Sequence, residues 1–169
     1  MDAIVGLIRE IKMCQAHGLL SASMAMSYVL IDTLSFVGME ASKTKQGKSD
    51  FIAWVDKYLK SAPNQPYQYD GRDVYGARCA MLHSYSSEAD YHASNPGVKK
   101  YGYHDADLHF YDPQVDPLLV LISTTSFTND IVIAAGNFVS DCVTDQNLGS
   151  LVRARLPGVL KNFPVNIRP

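Results

Sequence analysis

Apolar residues recur along most of this chain at three- and four-residue steps, the spacing that puts them on one face of an α-helix. Ile4, Leu7, Ile8 and Ile11 form such a stripe opposite Arg9, Glu10 and Lys12, which predicts a helix over 3–15 that Gly18 closes off. The next stretch, Gly18–Gly38, is apolar or small almost throughout. It predicts a helix over 19–37 that is buried all round. After the polar link EASKTKQGK, Ser49 is a candidate N-cap for a helix with Phe51, Trp54, Val55, Tyr58 and Leu59 on one face. Residues 61–72 hold two prolines and the Asp70-Gly71 dipeptide, so they read as a loop. Val74, Ala77, Arg78, Met81 and Leu82 then set the inward stripe of a helix over 73–83.

Asn95-Pro96-Gly97 marks a boundary, and the pattern changes beyond it. The run LLVLIST over 118–124 reads as a short buried strand, expected to form a small hairpin or two-stranded sheet with the Tyr-, His- and Asp-rich segment 99–111. Helices are predicted over 127–143 and 148–156. The expected fold is mainly α, a helical bundle over 1–97 joined by a β hairpin and extra helices over 98–169 on the same core.

Two charges disturb this apolar pattern. Asp32 is the only charged residue between Gly18 and Gly38, and Arg78 sits within an inward stripe. An isolated buried charge is very costly, so the two are expected to pair or to orient one another. Residues 19–39 also have the length of a membrane span. Asp32 near a bilayer centre would cost about 2.5–3.5 kcal/mol, and five Ser and Thr residues add polarity, so a core helix is the expectation.

Composition narrows the function classes. With 169 residues and 47% hydrophobic content, the chain can bury one good core. A net charge of −2 gives no global attraction to nucleic acid, so any RNA contact must rest on a local patch. Cys14, Cys79 and Cys142 are odd in number and widely spaced, which fits reduced thiols in a cytoplasmic protein. The N-terminus MDAIVGLIREIK lacks the pattern of a signal peptide.

The candidate chemistry lies at Arg78 and His83, a permanent cation and a group that titrates near neutrality, separated by four residues. Three blocks, SYVLIDTLSFVG, FIAWVDKYLK and DVYGARCAMLHSYSSEA, together resemble the bacterial HEPN-like proteins over about Ser27–Ala89. The resemblance implies a HEPN-like helical bundle that dimerises so that two Arg–His pairs face one cleft. It also implies a metal-independent endoribonuclease of defence or toxin type, without cofactor, with RNA as substrate and an antitoxin or other protein as partner. Arg78 and His83 match the superfamily signature, and Asp32 resembles its acidic residue on a preceding helix. Cys79 departs from the pattern, because many catalytic members place Asn, Asp or His directly after the arginine.

In such a site His83 acts as general base on a 2′-hydroxyl or general acid on the leaving 5′-oxygen, Arg78 stabilises phosphoryl charge, and Asp32 holds Arg78. The alternative is a non-catalytic RNA-binding or protein-interaction module of the same fold, with a structural Asp–Arg pair and His83 closing a helix. Five positions along an α-helix rotate by about 140°, so Arg78 and His83 are expected to converge only across a cleft or dimer seam. Tyr75 lines that cleft or packs with a wet hydroxyl. Lys43, Lys45 and Lys48, with Lys99 and Lys100, are candidate phosphate contacts or solvated loop residues. His104, Asp105, Asp107 and His109 carry metal-ligand chemistry, yet the run reads equally as a solvated strand edge, and no metal is expected.

Overall fold

The computed structural model describes residues 2–159 and is mainly helical, 62% helix, with a small two-stranded sheet. Helix α1 (Asp2–Ala16) buries Ile4 and Ile11, as its stripe predicts. It ends in a Schellman turn: Leu19 N–H donates to Cys14 O at 2.8 Å and Gly18 N–H to Gln15 O at 3.1 Å. Gly18 takes the left-handed conformation this turn needs, φ 69°. Helix α2 (Leu20–Gly38) is the central helix, packed by α1 and by three of the helices that follow it in the chain, the next one and the last two. It is long and apolar enough to cross a membrane, but only half of that window lies inside the fold, so the expected all-round burial is corrected: Ser21, Ala22 and Val29 are exposed on one side.

Helix α3 (Lys48–Tyr58) buries Phe51, Trp54, Val55 and Tyr58 against α2 and the later helices. Its cap differs from expectation. Ser49 lies inside the first turn, and the Asp50 carboxylate reaches back to accept the Gly47 N–H at 2.8 Å. Helix α4 (Gly71–Cys79) starts at the dipeptide read as a turn, because Asp70 caps it by accepting Arg72 N–H at 2.8 Å and Asp73 N–H at 3.3 Å. Gly71 admits α3 closely, since a Cβ there would lie 2.7 Å from Ile52 O.

The predicted helix over 73–83 is not one regular helix. Ala80–Ser84 forms a π turn, with Tyr85 N–H bonded to Ala80 O. A short helix α5 (Asp90–Ser94) follows and seats buried His92 against Gly76, where a Cβ would lie 2.8 Å from Nε2.

Strands β1 (Lys100–His104) and β2 (Leu119–Ser123) pair in parallel, Lys100 opposite Leu119 through His104 opposite Ser123, so the expected hairpin is corrected. The connection 105–118 is long enough to carry the chain back to the starting end, as a parallel pair requires. Phe110 adds a single antiparallel bridge to Leu121 on the way. β2 runs directly into α6 (Thr124–Thr144), and α7 (Gln146–Arg155) packs back on it, capped by Asp145. One apolar cluster draws on α1 to α4, both strands, α6 and α7.

Candidate active site

Helices α2 and α4 bring Asp32 and Arg78 together. The Arg78 Nε and Nη2 groups both donate to Asp32 Oδ2, at 2.9 and 2.7 Å. The pair is half-buried, with side chains 21% and 25% exposed, so Arg78 lies at the rim of the core and not within it. Burial pushes the Asp32 carboxyl up, and the guanidinium offsets only part of that. Asp32 holds Arg78 above its ordinary range in turn. The loop before α3 closes over the same turn of α2, since Gln46 Nε2 donates to Asp32 O at 3.2 Å and to Ser35 Oγ.

Arg78 Nη1 lies 3.0 Å from His83 Nε2 within the same chain. This corrects the expectation that the two converge only across a cleft or between subunits. The cause is the π turn: its i→i+5 bonding takes one more residue per turn than an α-helix, so the fifth residue, not the fourth, comes back over Arg78. A guanidinium has no acceptor, so His83 Nε2 must accept, and the imidazole is neutral with its proton on Nδ1. His83 itself is exposed. The bonds to Asp32 and His83 engage three of the five guanidinium N–H groups, leaving one on each Nη.

Tyr75, one turn before Arg78, is half-buried between Phe51 and Tyr91, with ring centroids 5.4 and 4.9 Å away in edge-on geometry. Burial and the neighbouring Cys79 thiol push its hydroxyl up. Cys79 itself is buried. Lys48 extends the aromatic row, its Nζ 5.3 Å from the Tyr91 ring centre.

The other lysines are more engaged than their positions suggest. Lys43 pairs with Asp50 at 2.6 Å, Lys99 with buried Asp73 at 3.2 Å, and Lys100 with Glu88 at 2.7 Å. Lys45 is exposed on the loop beside Gln46. Of the candidate phosphate ligands, Lys45 and Lys48 therefore keep the freer ammonium groups.

The His104–His109 run holds no metal arrangement: among the described residues no group of three His, Cys, Asp or Glu is placed to share an ion. The strand stops at His104, and His109 is fully buried. His109 Nδ1 accepts Ser123 N–H at 3.0 Å, so Nε2 carries the proton and donates to the Tyr69 hydroxyl at 2.8 Å. That hydroxyl donates onward to Asp130 Oδ2 at 2.9 Å. The network ties the loop before α4, the β1–β2 connection and α6 together, which no local pattern announces.

Sequence reasoning also missed Tyr85. It follows His83 by two residues and closes the π turn with φ 47°. Compared with protein-family models, curated proteins and solved structures, the chain matches none of them.

Proposed function

We propose that this chain is a HEPN-type endoribonuclease that cleaves single-stranded RNA without a metal ion, working as a homodimer. The observation that carries the reading is the hydrogen-bonded line Asp32–Arg78–His83, which starts half-buried and ends at an exposed neutral imidazole. A phosphate oxygen is a stronger acceptor for a guanidinium than an imidazole nitrogen. Substrate binding would therefore draw Arg78 Nη1 away from His83 and free the Nε2 lone pair beside the phosphodiester.

The reaction then balances with side chains alone. His83 Nε2 takes the 2′-hydroxyl proton, the 2′-oxygen bonds to phosphorus, and the bond to the 5′-oxygen breaks. The imidazolium of a second copy returns a proton to that oxygen. Arg78 stabilises the charge on the phosphoryl oxygens, and Asp32 fixes the guanidinium plane. Tyr75, Tyr91 and Lys48 offer aromatic surface and one cation beside the site.

Incubating the protein in EDTA with an RNA and with DNA of the same sequence tests the reading. RNA should yield fragments with 2′,3′-cyclic phosphate and 5′-hydroxyl ends while DNA stays intact. Binding of the RNA without scission would instead support the non-catalytic module, which buried Cys79 beside the arginine favours. Asp32→Asn keeps an acceptor for Arg78 and removes the charge, and should lower the initial cleavage rate about tenfold, the worth of one charge-assisted bond. An unchanged rate would remove Asp32 from the site.

A further inference from the structure

We infer that Tyr85 is a stacking platform for an RNA base flanking the scissile phosphate, an inference that rests on the ribonuclease reading. Three observations at this one residue carry it. Tyr85 is 72% exposed, an unusual state for a large aromatic side chain. It has φ 47° and ψ 48°, a left-handed conformation in which glycine would be at ease and a bulky side chain is not. Among the described residues it is the only non-glycine with positive φ. Such backbone persists only where its surroundings hold it.

Its hydroxyl explains how the ring is held. Tyr85 Oη donates to Ser21 Oγ at 2.7 Å, at the start of α2. The ring is thus tethered at both ends, by the π turn through its backbone and by α2 through its hydroxyl, while it stays largely in solvent. A tether that fixes an exposed ring without burying it leaves surface for a ligand.

The placement fits a single strand. Ser21 and Asp32 lie eleven residues apart on α2, about 16 Å along its axis. Arg78 meets the Asp32 end, and the chain from Arg78 through His83 to Tyr85 runs back toward the Ser21 end. The cation, the imidazole and the fixed ring therefore follow one line beside α2. A phosphate on Arg78 and His83 would place the neighbouring nucleotide toward Tyr85. Every base has a π-face, so the platform would serve RNA with little preference for sequence.

Fluorescence anisotropy with a labelled, uncleavable 2′-O-methyl RNA 12-mer tests this, together with cleavage of the matching RNA. Tyr85→Gly suits the backbone and should melt no lower than wild type, yet bind the 12-mer about tenfold more weakly, within the range for loss of one stacked base. Tyr85→Phe keeps the ring but loses its tie to Ser21, so its affinity should fall between those of wild type and Tyr85→Gly. A single abasic nucleotide beside the cleaved bond should weaken wild-type binding to the level of Tyr85→Gly and add nothing to that variant.

Equal binding by wild type and Tyr85→Gly, with wild-type cleavage intact, overturns this inference alone. A change in sedimentation of Tyr85→Gly with unaltered RNA binding does so too, making the ring a protein contact. Failure of wild type to bind or cleave RNA overturns both this inference and the ribonuclease reading.

Discussion

His83→Ala and Arg78→Ala should each lower RNA cleavage about 10³-fold, the middle of the range for loss of a positioned acid–base group or a charge-stabilising donor. The structure separates this loss from misfolding. His83 is exposed, and exposed substitutions usually change stability by less than about 0.5 kcal/mol. Arg78→Ala leaves Asp32 half-buried without its guanidinium, so a cost of about 1 kcal/mol is expected there. Initial rates on a labelled RNA, read beside thermal melts of both variants, check this. Because the two residues act on one phosphate, the double variant should be little worse than either single one. Additive losses would mean that the side chains work apart, despite their 3.0 Å contact.

Asp130→Asn should change how stability responds to acid, through the line His109–Tyr69–Asp130. Burial holds the His109 imidazole down at about 4 and raises the Asp130 carboxyl to about 6. As pH falls from about 6.5 to 4, the unfolded histidine takes a proton that the folded one refuses, and stability is lost. As pH falls from about 6 to 3.8, folded Asp130 takes a proton before the unfolded one does, and stability is gained. In the wild type the two slopes oppose each other over nearly the same window.

The amide of Asp130→Asn can still accept the Tyr69 hydroxyl while removing the titration. Relative to wild type, the variant should therefore lose about 1 kcal/mol between pH 7 and pH 4.5, roughly half of the full linkage over that interval because Asp130 is partly exposed. Urea unfolding at a series of pH values measures the difference. Parallel pH profiles would show that Asp130 titrates as an ordinary carboxylate.

The apolar spacing alone located α1, α2 and α3 to within a residue or two, because each turns an apolar stripe into the core, although α2 buries only part of the surface that its composition led one to expect. The Asp32–Arg78 pair was legible for a related reason: a lone charge in an apolar helix has few ways to be satisfied. The Arg78–His83 contact was not, since a π turn leaves no mark on apolar spacing and its effect appears only in rotation. Strand direction escaped likewise, because β1 and β2 have the same alternation in either sense and only the path of 105–118 decides it. Lys43 read as a free cation because its partner Asp50 lies across a loop closure. The His104–His109 run read as a solvated strand edge, whereas His109 is fully buried, because Tyr69 and Asp130 meet it from distant segments.

The chemistry assigned to Asp32, Arg78 and His83 turns on one atom of the substrate, the 2′-oxygen beside the broken bond. An RNA with a single 2′-deoxynucleotide at the position most readily cut by the wild-type protein, incubated in EDTA and resolved fragment by fragment, tests that atom. Scission should vanish at that bond alone while cuts elsewhere continue. Undiminished scission at the deoxy position would contradict attack by the 2′-hydroxyl, and with it the role of His83 as its base.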